Sequence, residues 1–378
     1  MNLSRHSPDP TIYGAYGLTL VILVLQQRST KNQDGFCTCN GQMFSVLIKR
    51  QVNFIFLRLM LFIYSHQKCR VEWAGRYSNL FDVSNGVRQG AVSSAILFAV
   101  YIDEFLDLLK KSRLGCHIDS VFVGAFVFAD DILLLSASRA GLQSLVNICN
   151  DFASNRNLKF GTHENPSKSK TKCIVFSKRA CNLDSLAPIV LDGKNLPWVT
   201  KVNHLGCLLE TDNKMKADIA NKRGKFIGKV NSILQEFHYS KPETLLKLIC
   251  TYASSFYGSS LWDLRSKNVE RHVMIRNVFN LNRRTHRSLI EPISGSPHLK
   301  VMLMSRYVKF YKDLVNSPKF TVRFLARLCE RDLRTVMGRT LQYLQDECKC
   351  SLDMLSHQRV KHSLRYVSES PDTSGKLN

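Results

Sequence analysis

The chain has 378 residues, 44% of them hydrophobic, which is room for two domains with real cores and excludes a disordered or fibrous chain. Against 30 acidic residues stand 53 lysines and arginines, a formal charge of +23 that favours a polyanionic partner. The basic residues run through patterned segments and form no juxtamembrane block, so nucleic acid is expected as that partner and a membrane is not.

Ala15 to Leu25 is apolar but shorter than the roughly 20 residues of a bilayer span. Gln26-Gln27-Arg28 follows it and offers no small-residue cleavage site. A buried strand or an artefactual N-terminus is the expectation there. Residues 43–64 read as helical and largely buried. Lys68 to Asp82 reads as a strand pair around Gly75, and Ser84-Asn85-Gly86 to Gly90 as a loop. Ala95 to Leu109 reads as a helix. Val121 to Leu135 is two apolar runs split by Ala-Asp-Asp, a β-hairpin with an acidic tip. Leu142, Leu145, Ile148 and Phe152 recur at helical spacing, predicting an amphipathic helix over 140–156. Cys173 to Phe176, Ile189 to Leu191 and His204 to Leu209 read as strands. From Asp212 helical patterns dominate and basic residues are dense. Residues 288–298 look like a loop-rich break, and the tail from Ser368 like a disordered end.

Most of the twelve cysteines, such as Cys149, Cys173, Cys207 and Cys250, sit singly in apolar runs. That is the habit of buried free thiols in a reducing compartment, so an intracellular site, nucleus or cytoplasm, is expected. Cys37/Cys39 and Cys348/Cys350 lack zinc-finger spacing. His357 and His362 follow the second pair, but a polar helix end with incidental cysteines is the simpler reading.

Asp130 and Asp131 need an explanation between two apolar strands. Successive strand residues point to opposite faces, so both carboxylates reach one cation only at a turn. Hard carboxylate oxygens suit Mg²⁺.

Upstream stand Asn85-Gly86-Val87-Arg88-Gln89-Gly90, then Ser94, then Leu97-Phe98-Ala99-Val100-Tyr101-Ile102-Asp103. With Phe128-Ala129-Asp130-Asp131 these resemble the reverse transcriptases of non-LTR (LINE, jockey-like) retrotransposons. The resemblance covers roughly 36–315. Asn165 to Lys172 is similar to the family's lysine motif, and His204-Leu205-Gly206 to its primer-gripping turn. Tyr252 to Asp263, Arg284 to Arg287 and Ile290-Glu291-Pro292 resemble its C-terminal regions.

The resemblance implies an α+β fold: an antiparallel palm sheet with helices on one face, then an all-helical thumb. It divides the chain into an atypical N-terminus (1–35), a palm with partial fingers (36–211), a basic helical thumb and C-terminal region (212–367) and a tail (368–378). It implies RNA-directed DNA polymerisation, with an RNA template, a DNA primer, deoxynucleoside triphosphates and Mg²⁺ or Mn²⁺, and no obligate protein partner. Asp130 and Asp131 inherit the catalytic, metal-binding role. Arg88, Gln89, Gly90, Ser94, Lys168 and Lys170 inherit nucleotide and template contacts, with Lys168 preferred over Lys170. His204, Leu205 and Gly206 inherit the primer grip. Lys222, Arg223, Lys225 and Lys229 would follow the template–primer backbone.

One departure matters most. The family carries a third carboxylate on the first palm strand, and the matching stretch, Leu25 to Gln42, has Asp34 alone, beside Gly35-Phe36. Alignment on Gly41 to Phe44 puts the expected ligand near Ser29 to Lys31, where no acid stands. Ala91 and Ala95 also replace an expected glycine and proline, and no long fingers or endonuclease region precedes the palm. The expectation is therefore an impaired polymerase from an N-terminally truncated copy. The alternative is an inactive nucleic-acid-binding remnant.

Overall fold

The computed structural model describes residues 20–28, 38–83, 92–129, 131–156, 158–163, 165, 168–177, 182–212, 215–265, 299–355 and 360, with backbone alone for 20–28, 38–40 and 299–300. The chain divides into two compact units, Met1–Leu205 with Glu210–Asn213, and Gly206–Leu209 with Lys214–Asn378.

The first part runs β1 (Leu20–Arg28), α1 (Thr38–Lys49), α2 (Phe54–Ser65), β2 (Lys68–Cys69), β3 (Glu72–Trp73), β4 (Arg76–Tyr77), β5 (Phe81–Asp82) and α3 (Val92–Lys111). Then come β6 (His117–Ile118), β7 (Val121–Phe122), β8 (Ala125–Phe128), β9 (Asp131–Ser136), α4 (Arg139–Ser154), β10 (Lys159–Phe160) and β11 (Lys172–Phe176). Three short hairpin pieces follow in β12 (Ile189–Leu191), β13 (Lys194–Leu196) and β14 (Lys201–His204), and β15 (Cys207–Glu210) ends the strands. Among the described residues that follow, the long elements are helices: α5 (Lys216–Glu236), α6 (Pro242–Leu248), α7 (Leu299–Val315), α8 (Phe320–Arg331) and α9 (Val336–Cys348). The α+β class expected from the sequence is what is found.

β1 is the hub of the main sheet. Val21 to Gln26 pair antiparallel with β9, Leu20 to Val24 with β11, and Gln27 and Arg28 with β10. A strand paired on both edges suits the unbroken apolar run Leu20 to Leu25. The sequence could place this run only as a short strand or an artefact; it is the strand on which the sheet is assembled.

β9 shows why helices cover one face. Its residues alternate, with Ile132, Leu134 and Ser136 buried and Asp131, Leu133 and Leu135 part-exposed. Ile132 and Leu134 join Phe105 and Leu109 of α3 and Leu142, Leu145, Cys149 and Phe152 of α4 in one cluster. Each such side chain contributes roughly 1.5–3 kcal/mol by burial. Helix α4 starts where Ser138 Oγ accepts the Gly141 N–H at 3.0 Å.

Several expectations shift. The segment 43–64 is two helices, broken at Gln51, whose φ is +55°. Helix α2 is apolar all round yet buries just Met60 and Tyr64; Phe54, Ile55 and Phe62 are exposed, against the expected burial. Val121 and Phe122 pair with β6 and not within the acidic hairpin. His204 to Leu209 is not one strand: Leu205 and Gly206, at φ +47° and +75°, form the turn between β14 and β15. Cys149, Cys173 and Cys207 are buried, but Cys250, in the helical turn Ile249–Ala253, is exposed. The loop before Val92, the break at 288–298, residues 284–287, His357, His362 and the tail lie outside the described residues.

In the second unit Met215, Ile219, Phe256, Trp262, Met304, Tyr307, Leu341 and Leu344 share one core. A smaller cluster joins Val230 of α5 to Leu245, Leu246 and Ile249.

Candidate functional site

The hairpin β8–β9 closes through Ala129, at φ +51°, with Phe128 paired to Asp131. Asp131 is therefore the first residue of a strand whose interior is anchored in the core. Asp130 lies outside the described residues, as do Arg88, Gln89 and Gly90.

The register across β1 fixes what stands beside Asp131. The residue abreast of it is Gln26. Strand β1 reads LVILVLQQR, without a carboxylate anywhere along it. Ser29 to Lys31, to which alignment on Gly41 to Phe44 points, lie outside the described residues.

The other edge of β1 is equally informative. β10 ends at Phe160, opposite Gln27, and β11 begins at Lys172, opposite Val24. The described residues between them, 161–163, 165 and 168–171, thus lie off the sheet at the level of Leu25 and Gln26. In this excursion the amides of Lys170 and Thr171 both donate to the carbonyl of Gly161, at 3.0 and 3.1 Å. The Lys168 amide donates to Asn165 O at 3.0 Å, and buried Ser169 donates from Oγ to Thr171 O at 2.7 Å. The turn is tied down while the Lys168 and Lys170 side chains stay exposed. Asp131 and the lysine turn flank β1 on opposite edges, about two strand spacings or roughly 10 Å apart along the sheet.

His204, at the end of β14, feels the same charge. Burial lowers its pKa below the ordinary histidine value, and the Asp131 carboxylate opposes that shift. Its Nδ1 is buried and finds no hydrogen-bond partner among the described residues. Ser94 is buried in the first turn of α3. Leu205 and Gly206 make the turn that follows His204.

Lys222, expected on a nucleic-acid path, is instead largely buried within the second unit. Its Nζ donates to Asp218 Oδ2 at 2.8 Å. Asp218 also accepts from Trp262 Nε1 at 2.8 Å and from the Leu208 amide at 2.9 Å. The i,i+4 spacing of Asp218 and Lys222 was the available signal; Trp262 could not have been assigned to it from sequence. Arg223, Lys225 and Lys229 carry no ion pair among the described residues, and Lys229 Nζ lies 3.5 Å from the carbonyl of Tyr252.

Residues 43–209 match the family model described as reverse transcriptase (RNA-dependent DNA polymerase). The Retrovirus-related Pol polyprotein from type-2 retrotransposable element R2DM of Drosophila melanogaster is 32% identical over 111 residues, 28% of this chain and 10% of that protein. This stretch is a reverse transcriptase domain of the non-LTR retrotransposon type. A second relative, the Retrovirus-related Pol polyprotein from type-1 retrotransposable element R2 of Nasonia vitripennis, is 34% identical over 85 residues, 22% of this chain and 8% of that protein. The chain thus spans a tenth or less of the length of these two relatives. The reverse transcriptase match begins at Met43, after β1, so the strand that faces the acidic turn lies outside it.

Reverse transcriptases as a family use divalent metal ions. The donors here fit such an ion incompletely. Among the described residues no three His, Cys, Asp or Glu side chains come together, and Gln26, a neutral amide, stands abreast of Asp131. A neutral amide brings no charge to neutralise a hard dication. Among the described residues no helix is long and apolar enough to cross a membrane.

Proposed function

We propose that the first unit is a polymerase palm and the second a thumb, descended from an RNA-directed DNA polymerase and impaired in primer extension. The observation that carries this is Gln26 abreast of Asp131, beside the reverse transcriptase match over residues 43–209. Asp130 and Asp131 take the metal-binding role, with Mg²⁺ or Mn²⁺ as the ion. Lys168 and Lys170 face the triphosphate of an incoming deoxynucleotide from the far edge of β1. Arg88, Gln89, Gly90 and Ser94 serve the nucleotide and template, and His204, Leu205 and Gly206 the primer. The nucleic-acid partners are an RNA template and a DNA primer, in the nucleus or cytoplasm.

The expectation of impairment rests on charge. Two adjacent aspartates without a third carboxylate leave the ion and the triphosphate under-compensated. The competing reading, an inactive nucleic-acid-binding protein, is favoured by the same Gln26 together with the +23 charge. Primer extension on an RNA–DNA hybrid, beside hybrid binding as a function of salt, separates the two. Weak extension that Asp131→Asn abolishes supports an impaired polymerase. Salt-sensitive binding with no extension supports the second reading.

A further inference from the structure

Helix α8 is the most amphipathic of the C-terminal helices in its arrangement. Ala326 is buried, and the Tyr311 hydroxyl of α7 donates to Glu330 at 2.8 Å. Val322, Ala326 and Glu330, spaced by four, therefore mark the side that faces α7. Lys319, Arg323, Arg327 and Arg331 are also spaced by four, so they make a single ridge rising about 6 Å per step. Phe320, Phe324 and Leu328 form the neighbouring ridge, and the Phe320 and Phe324 rings stack with centroids 6.1 Å apart. Both ridges reach the surface: Phe320 is 63% and Leu328 42% exposed, Lys319, Arg327 and Arg331 are exposed, and Arg323 and Phe324 are half-buried between them.

The cations on this face are available. Arg323 donates to the carbonyl of Ser317 at 2.5 Å, which orients it along the ridge. Lys319, Arg327 and Arg331 enter no ion pair among the described residues. The two nearby acids are occupied: Glu330 by Tyr311, and Asp332 by Arg334 at 2.9 Å. From Lys319 to Arg334 there are five basic and two acidic residues.

We infer that α8 holds a single-stranded nucleic acid, with its phosphates along Lys319, Arg323, Arg327 and Arg331 and its bases against Phe320 and Phe324. Cations alone would suit any polyanion. The exposed aromatic ridge beside them selects a strand whose bases are free to stack, because a duplex hides its base faces. The shared chemistry is a phosphodiester backbone with unpaired bases, RNA or DNA. The site lies beyond the 43–209 match and does not depend on polymerisation.

Fluorescence anisotropy on the full chain tests it, using labelled oligo-uridylate, oligo-thymidylate and a blunt duplex across a salt series, with far-UV circular dichroism on each variant. Arg327→Glu/Arg331→Glu should weaken binding to both single strands by about tenfold or more at low salt. It should also flatten the salt slope by roughly 0.7 for each phosphate left unneutralised. Arg327→Lys/Arg331→Lys should stay near wild type. Phe320→Ala should weaken binding by about tenfold with the slope unchanged. Tighter uridylate than thymidylate binding assigns the strand as RNA, the reverse order as DNA, and either order supports the site. A folded Glu variant with unchanged affinity and slope would overturn the inference. So would tighter binding to the duplex than to either strand. A chain inert in primer extension leaves these outcomes unaffected, so failure of the polymerase reading is distinguishable.

Discussion

Replacing Asp218 by Asn should destabilise the second unit more than any surface change on the chain. Asp218 has no exposed surface, and Lys222, its partner at 2.8 Å, keeps 11% of its side-chain surface exposed. Removing the carboxylate charge leaves a buried ammonium unpaired, which costs about 3–5 kcal/mol. The amide nitrogen must also take the place of one carboxylate oxygen: at Oδ2 it faces both Lys222 Nζ and Trp262 Nε1, which share that atom, and at Oδ1 it faces the Leu208 N–H, so at least one of the three hydrogen bonds is lost outright. These costs overlap because they share one group, so about 3–5 kcal/mol is the whole expected loss and not a part of it. For a unit of this size it corresponds to a fall in Tm on the order of 10 °C. Urea denaturation followed by tryptophan fluorescence reads it, since Trp262 reports directly. The double variant Asp218→Leu/Lys222→Met should recover most of the loss, because it removes both charges together. An Asn variant within about 1 kcal/mol of wild type, or a double variant no better than the single, would show that the pair is not the buried ionic anchor described here.

Other tests address strain, packing and thiol burial. Gly258 sits at φ +77°, and a Cβ there would meet Cys207 Sγ at 2.5 Å, so Gly258→Ala should cost about 2 kcal/mol or more in thermal denaturation. Leu134 is fully buried in the first unit, and Leu134→Ala should cost about 2–5 kcal/mol in urea unfolding; a loss below that range would mean its cluster is not a packed core. Burial pushes the Cys149 and Cys173 thiols up, while Cys69 and Cys250 are exposed. Native-state alkylation mapped by mass spectrometry should therefore label Cys69 and Cys250 and spare the other two until denaturant is added.

Period and punctuation made much of the first unit readable. The split apolar runs around Ala129-Asp130-Asp131 announce a hairpin, and Leu142, Leu145 and Phe152 announce a helix face, because both patterns are local. What the sequence hid is non-local. That Leu20 to Leu25 lie in the central strand depends on pairing with residues more than a hundred positions away. That Gln26 stands abreast of Asp131 follows from ladder register, which no count along the sequence can supply. The burial of Lys222 was hidden for the same reason: its neighbours Leu208 and Trp262 come from separate segments. Helix α2 failed in the opposite direction, since an apolar composition predicts burial but cannot say that a partner is present to supply it.

The most direct test of the account is primer extension by the purified chain on an RNA–DNA hybrid, in Mg²⁺ and in Mn²⁺, beside Asp131→Asn. With Gln26, a neutral amide, abreast of Asp131, the proposed reading has the wild-type chain extend the primer weakly or not at all, and any extension it does give should vanish in the variant. Processive cDNA synthesis by the wild-type chain, or extension indifferent to Asp131→Asn, would contradict it.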